Sequence, residues 1–219
     1  MKVACNATAV IPPYPVYLFD IDGTLLDSAP DICSAQSDVL EAAGSAPVPF
    51  RVLRGYVGRE LRAVFSDLLP HANEAAMQKL MQDYTLKYRG RKHAGTRVYP
   101  GVREALAVLE GRKSTATTKS TEGTRLVLEH FGLLPYFDHV QGSDGMRYKP
   151  APDVVLAAMG ALAAKPEECL LVGDSPADME AGRRAGVKIC AVRYGYGDPV
   201  ELAKWEPEQW ISDLRELVR

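Results

Sequence analysis

The pattern of hydrophobic positions divides the chain into three stretches. Val16 to Phe19 form a short apolar run rich in β-forming residues, which is typical of a strand covered on both faces. Over residues 28–90 apolar side chains recur at helical spacing, and Asp27 and Ser28 are expected to cap the first helix. From residue 98 onward short apolar runs alternate with helical stretches, which is the pattern of an α/β protein.

These patterns predict a Rossmann-like parallel sheet with an inserted α-helical cap. The predicted core comprises residues 14–27 and 91–219, the predicted cap residues 28–90, and residues 1–13 form a loosely ordered lead-in. Within the core, helices are expected over about 101–109, 121–131, 152–162 and 176–185, and strands over 114–117, 139–141, 169–172 and 188–192. Residues 209–217 are expected to form a short strand or turn followed by a helix.

Composition narrows the class of partner without changing the predicted fold. The hydrophobic fraction of 47% and the charged fraction of 25% are those of an ordinary globular protein. A net charge of −2 gives no support to a nucleic acid or a membrane surface as partner, so we expect a small-molecule substrate and a monomer or homodimer. The 4 cysteines are scattered without metal or redox spacing, which indicates a reducing, cytoplasmic compartment.

Polar side chains follow several predicted strands at the points where those strands end. Asp20 and Asp22 lie on the same side of the chain and repel each other unless a positive charge sits between them. A small cation with oxygen ligands, Mg²⁺, would meet that need. Ligands of open α/β sheets bind at the carboxyl ends of the strands, where the sequence also places Thr117, Thr118, Lys149, Asp174 and Asp178. The carboxylates could hold a metal, and the lysine and hydroxyls could bind an anion. Together they would bind a phosphoryl group.

Three motifs resemble the signature of the haloacid dehalogenase superfamily. They are Phe19-Asp-Ile-Asp-Gly-Thr-Leu25, Lys149-Pro150 and Gly173-Asp-Ser-Pro-Ala-Asp178. The helical insertion after the first motif resembles members with a C1-type cap. Residues 20–31, 99–102 and 194–197 are similar to the phosphoglycolate phosphatase-like subgroup, and the resemblance covers about residues 15–217.

The resemblance implies a phosphatase that works through an aspartyl-phosphate. Asp20 matches the nucleophile, Asp22 the general acid and base, and Lys149 the cation that neutralises developing charge. Mg²⁺ would be held by the carboxylates of Asp20 and Asp174 and by the backbone carbonyl of Asp22, with Asp178 and Ser175 in supporting roles. The phosphate group is expected to contact Asp22, Gly23, Thr24, Thr117, Thr118 and Lys149.

Two features of the sequence leave alternatives open. The second motif is polar and has Thr118 where the family usually has Asn, so its register around Thr117 is uncertain by one residue. Substrate choice is assigned to the cap, where Arg54 or Arg59 could pair with a second anionic group.

A phosphosugar mutase is the alternative enzyme, although mutases tend to have Val where Thr24 stands. A non-catalytic binding protein would predict a broken set of acids, and here every acid is present.

Overall fold

The structure is a computed structural model that describes residues 12–218, so the expectation for residues 1–11 lies outside the described residues. Its strands are β1 (Val16–Phe19), β2 (Leu26–Asp27), β3 (Arg97–Val98), β4 (Arg112–Thr115), β5 (Cys169–Gly173), β6 (Lys188–Val192) and β7 (Gln209–Ile211). Its α-helices are α1 (Ala29–Ala42), α2 (Phe50–Arg54), α3 (Leu61–Leu68), α4 (Glu74–Gly90), α5 (Val102–Val108), α6 (Thr121–His130), α7 (Asp153–Ala161), α8 (Pro176–Ala185) and α9 (Pro199–Ala203). Short 3₁₀ turns cover Leu134–Tyr136, Pro166–Glu168 and Leu214–Val218.

Five parallel strands form the central sheet in the order β4-β1-β5-β6-β7. Strand β1 lies between β4 and β5, and its side chains alternate between two apolar clusters on opposite faces of the sheet. Tyr17 and Phe19 pack on one face, and Val16 and Leu18 pack on the other. All four side chains are buried, which explains why the sequence of this strand is continuously apolar. The predicted α/β fold is confirmed.

Helices α1 to α4, called the helical block below, lie between β2 and β3 in the chain. These two short strands pair antiparallel, with Leu26 opposite Val98, so both connections to the block run side by side. The block has an apolar cluster of its own, in which Phe65 is fully buried. A cavity of about 760 Å³ opens among α1, α3 and α4, and its lining contains none of the predicted site residues. The division of the chain into core and cap stays a prediction.

Several predicted elements differ from the structure. The strand expected over residues 139–141 is wrong, because that segment makes only an isolated bridge between His139 and Ser114. The Thr115 hydroxyl donates to the carbonyl of Gln141 and accepts from its N–H, which replaces part of a backbone ladder. The strand expected over 114–117 instead runs over Arg112–Thr115, and the helix expected near the C-terminus is a 3₁₀ turn. Within residues 12–218, no helix is both long and apolar enough to cross a membrane.

Candidate active site

The loop after β1 carries the first two candidate residues. Asp20 extends the pairing with β5, because its N–H donates to the carbonyl of Val172 at 3.0 Å. The chain then turns sharply at Gly23, whose φ is +91°, and the N–H of Leu26 donates to the carbonyl of Ile21. This turn leaves the carboxylates of both Asp20 and Asp22 buried at the carboxyl end of the sheet.

Carboxylates from two neighbouring strands meet at this edge. Asp20 follows β1, while Asp174 and Asp178 follow β5, and each offers an oxygen within 4.8 Å of the other two. The ammonium of Lys149 donates to Asp20 at 2.7 Å, to Asp178, and to the carbonyl of Ala116 at 2.9 Å. The strand-end argument therefore correctly placed these four charged residues together.

The electrostatics of this cluster leave it with surplus negative charge. Burial raises the pKa of Asp20 to about 7, even though Lys149 acts in the opposite direction. Burial, with Asp178 and Asp20 nearby, raises the pKa of Asp174 well above its usual range. Burial alone would lower the pKa of Lys149, but Asp178 and Asp20 raise it, so the ammonium stays charged. A single ammonium faces three carboxylates, and a divalent cation would complete the charge balance.

The surroundings of Asp174 hold its carboxylate in a fixed position. Its oxygens accept hydrogen bonds from the Thr24 hydroxyl at 3.2 Å and from the backbone N–H of Tyr196 at 2.8 Å. The backbone also approaches closely, because a Cβ at Gly23, Gly195 or Gly197 would lie within 2.2 Å of an Asp174 atom. Buried carboxylate oxygens are the ligands that Mg²⁺ prefers, so the cluster fits this ion.

The Asp22 side chain has different partners from those of Asp20. One of its oxygens accepts a hydrogen bond from the Ser28 hydroxyl, and the other forms an ion pair with the Lys119 ammonium at 2.7 Å. It is not part of the three-carboxylate group. The predicted metal contact of Asp22 is through its backbone carbonyl and stays a prediction, while its carboxylate lies in a second, separate ion pair.

The remaining predicted phosphate and supporting residues lie beside these clusters. Thr117 is fully buried just beyond β4, where its hydroxyl accepts from the Lys119 N–H at 3.4 Å, and Thr118 is half-buried. Ser175 begins α8, and its hydroxyl donates to the Asp178 carboxylate at 2.6 Å while accepting from the Asp178 N–H. This reciprocal cap orients Asp178 toward Lys149. The roles assigned to these residues stay predictions.

The predicted specificity arginines are exposed residues of the helical block. Arg59 forms an ion pair with Asp67 at 3.0 Å and lies over the Tyr56 ring at 4.9 Å from its centroid. Arg54 is exposed at the end of α2. Within residues 12–218, no hydrogen bond or ion pair joins either arginine to the acids at the sheet edge. Their role in substrate choice stays a prediction.

The structure adds Lys119 to the site. Burial would lower the pKa of Lys119, but Asp22 and the phenols of Tyr88 and Tyr84 raise it, so its ammonium is a buried positive charge. The ammonium lies 5.1 Å from the centroid of the Tyr88 ring on α4. Its place directly after Thr117 and Thr118 was the signal in the sequence, because a third polar residue at one strand end lies at the same edge.

Tyr196 is a second residue that the sequence did not reveal. Its hydroxyl accepts from the backbone N–H groups of Ser28 and Ala29, at 2.8 and 3.0 Å, and donates to the Asp27 carboxylate at 2.8 Å. The phenol thus caps α1 from another part of the chain. The expected cap by the Ser28 hydroxyl is wrong, because that hydroxyl donates to Asp22.

A parallel sheet with paired acids at its carboxyl edge and a helical insertion after the first strand defines a hydrolase of the haloacid dehalogenase type. The family described as haloacid dehalogenase-like hydrolase matches residues 17–192. A phosphoglycolate phosphatase of Nitrosospira multiformis is 32% identical over 216 residues, covering 94% of this chain and 95% of the relative. Phosphoglycolate phosphatase 1 of Pseudomonas aeruginosa is 32% identical and covers 92% of this chain and 77% of the relative.

Solved structures agree with the sequence matches. A structure described as a predicted phosphatase from Clostridium acetobutylicum has a TM-score of 0.85 at 27% identity, covering 94% of this chain and 97% of that one. A haloacid dehalogenase-like family protein from Streptococcus pneumoniae has the same TM-score at 23% identity, which concerns the fold alone. The chain belongs to the haloacid dehalogenase-like hydrolase family. The sequence predicted this family and its phosphoglycolate phosphatase-like subgroup, and both predictions are confirmed. The predicted enzyme class, a phosphoric monoester hydrolase, is also confirmed.

Proposed function

We propose that this protein is a Mg²⁺-dependent phosphatase that hydrolyses the phosphate ester of a small metabolite through an aspartyl-phosphate on Asp20. The observation that carries the proposal is the separation of two adjacent acids into different ion pairs. Asp20 lies with Lys149 among other carboxylates, whereas Asp22 is held by Lys119 and Ser28. Two carboxyl groups with different surroundings suit different chemical roles.

The proposed reaction has two steps. The Asp20 carboxylate attacks phosphorus, the bond to the ester oxygen breaks, and Asp22, which enters this step in its protonated form, gives its proton to that leaving oxygen and becomes a carboxylate. Asp22 then takes a proton from water, which attacks the aspartyl-phosphate and releases inorganic phosphate and free Asp20. Lys149 neutralises negative charge on Asp20 and the phosphoryl oxygens throughout. When bound by Asp20, Asp174 and the Asp22 carbonyl, Mg²⁺ supplies positive charge to the phosphoryl group.

Phosphoglycolate is the first substrate to test. The relatives that cover nearly all of this chain carry the name phosphoglycolate phosphatase. In the proposal the helical block, residues 28–90, acts as a cap over the acids, and Thr117 and Thr118 bind the phosphate. The buried, free thiols of Cys33, Cys169 and Cys190 support a reducing, cytoplasmic location for the enzyme.

A panel of small phosphoesters, each assayed with and without Mg²⁺, tests this function. Asp20→Asn should lower phosphate release by about a thousandfold or more, because the amide is not a nucleophile. Asp83→Asn, in the surface ion pair with Lys79, is the matched control and should keep full activity. Equal release by the Asp20→Asn variant and the unaltered protein would contradict the catalytic assignment. An isomerised sugar phosphate in place of free phosphate would indicate the mutase alternative.

A further inference from the structure

Lys119 has the properties of a binding group as well as those of an ion-pair partner. Its side chain is 15% exposed and its ammonium lies between the Asp22 carboxylate and the ring of Tyr88, so it joins the sheet edge to the helical block. An ammonium has three N–H donors. Among residues 12–218, Asp22 provides the one carboxylate within ion-pair distance of Lys119, at 2.7 Å. Lys149, in contrast, already contacts two carboxylates and a carbonyl.

Two further polar atoms near Lys119 are buried without a normal hydrogen bond to any described residue. They are the hydroxyl of Tyr88 and Nδ1 of His93. The rings of Tyr88 and His93 are 5.9 Å apart, and the positive charge of Lys119 acts on the pKa values of both. Buried polar atoms of native proteins nearly always have partners, so these two atoms beside the Lys119 ammonium point to a polar ligand.

We propose that Lys119, with Tyr88 and His93, forms the subsite that binds a carboxylate on the leaving group of the substrate. This inference rests on the proposed phosphatase function and specifies its substrate class. The Lys119 ammonium has donors beyond the one that pairs with Asp22, and a tyrosine hydroxyl and a histidine N–H can donate to the same anion. The specificity of the site is thereby assigned to Lys119 in place of Arg54 or Arg59.

The position of Lys119 limits how far the carboxylate can lie from the reacting bond. In the proposed mechanism Asp22 hydrogen-bonds the leaving oxygen, and Lys119 lies 2.7 Å from the Asp22 carboxylate. Because each of the three successive contacts is about 3 Å long, an anion on Lys119 lies at most about 9 Å from the leaving oxygen. A phosphorylated 2-hydroxy acid, whose carboxylate is separated from that oxygen by a single carbon, falls within this limit. A sugar phosphate presents a neutral hydroxyl there, so the Lys119 ammonium would keep Asp22 as its single anionic partner.

The experiment compares two substrates that differ only in this group, phosphoglycolate and 2-hydroxyethyl phosphate. For the unaltered protein, kcat/KM should favour phosphoglycolate, and Lys119→Gln should reduce that preference by about tenfold to a hundredfold, the usual contribution of a charged hydrogen bond. Lys119→Arg keeps the charge and should retain the preference. Lys79→Gln, on the exposed face of α4, is the control and should change neither kcat/KM for phosphoglycolate nor the preference over 2-hydroxyethyl phosphate.

A purely structural role for Lys119 gives a different result. If Lys119 only positions Asp22, Lys119→Gln slows both substrates by the same factor and the preference is unchanged, which would overturn the proposal. Thermal unfolding of each variant identifies loss of folding. Should Lys119→Gln not fold, Tyr88→Phe and His93→Ala are measured in its place, and an unchanged preference in both would count equally against the subsite.

Binding measurements separate failure of this inference from failure of the proposed function. Calorimetry on Asp20→Asn with each phosphoester reports recognition without turnover. If the unaltered protein hydrolyses neither substrate, the phosphatase assignment for these compounds is wrong. Tighter binding of phosphoglycolate that disappears in Asp20→Asn/Lys119→Gln would still support the subsite, whereas equal binding of the two compounds would refute it.

Discussion

Two lysines lie at the same edge of the sheet, Lys149 buried and Lys119 partly exposed, and they differ in what surrounds them. Lys149 is enclosed by the core, where its ammonium contacts Asp20 and Asp178. Lys119 contacts the single carboxylate of Asp22 and lies against Tyr88 of the helical block. The first environment is built from residues outside the helical block, and the second includes a residue of the block.

This difference indicates that the two lysines have different roles in one small site. A cation held on three sides by the core stays in place whatever substrate is present, which suits chemistry common to all phosphate esters. A cation that touches both the general acid candidate and the helical block can also contact the part of the substrate that varies. The proposed function therefore assigns Lys149 to the phosphoryl group, and the proposed subsite assigns Lys119 to the leaving group.

The largest expected effect comes from removing the core cation. Lys149→Gln leaves Asp20 and Asp178 as buried charges without their partner, so the free energy of unfolding should fall by about 3 kcal/mol or more. Lys119→Gln should cost less, because it leaves one carboxylate that still accepts from Ser28. Urea unfolding at neutral pH measures both, with Lys79→Gln as control. A larger loss for Lys119→Gln would reverse the comparison.

The core cluster should also dominate the pH dependence of stability in the metal-free protein. Burial raises the pKa of Asp20 from 3.8 to about 7, so the folded state binds more protons than the unfolded state between these values. Stability should therefore fall as pH rises through this range, and Asp174, whose pKa is also raised, should extend the fall to higher pH. Thermal unfolding with a chelator tests this, and Asp20→Asn should reduce the fall between these two pKa values. Stability that rises over the same range would contradict the prediction.

A smaller effect is expected where the loop after β6 meets the first helix of the block. Tyr196→Phe removes a hydroxyl that accepts from Ser28 and Ala29 and donates to Asp27, so we expect a loss of about 2 kcal/mol in unfolding free energy. In this variant the ion pairs of Lys149 and Lys119 with their carboxylates should remain intact. Tyr136→Phe, in the 3₁₀ turn after α6, is the control tyrosine. An unchanged urea midpoint for Tyr196→Phe would show that the phenol does not stabilise α1.

The smallest effect should come from the Tyr88 hydroxyl. Tyr88→Phe keeps the ring over Lys119 and removes one candidate donor to the substrate carboxylate, so the preference for phosphoglycolate should fall by only about fivefold. Stability should be unchanged or slightly higher, because the lost hydroxyl has no normal hydrogen bond within the described residues. Steady-state kinetics measure the substrate preference, and thermal unfolding measures the stability. A fall equal to that of Lys119→Gln would mean that the charge is not the main recognition element.

The carboxylates around Lys149 could be predicted from the sequence, whereas the contact of Lys119 with the helical block could not. Residues that follow parallel strands must meet at one sheet edge, so the sequence correctly groups Asp20, Asp174 and Asp178, and the loop before α7 brings Lys149 to the same edge. The partner of Lys119 depends on how α4 lies over the sheet, and hydrophobic periodicity gives no such angle. The predicted strand over residues 139–141 failed for a related reason, since a single threonine side chain replaced backbone pairing.

The glycines around Asp174 have a consequence for how this sequence can vary. Gly23, Gly195 and Gly197 come from two loops far apart in the chain, yet a methyl group at any one of them would collide with the same aspartate. Random substitution at these three positions should return glycine almost alone among active clones, while the neighbouring Arg193 and Asp198 tolerate many residues. Natural variation would be similarly confined, so these three positions offer adaptation almost no route.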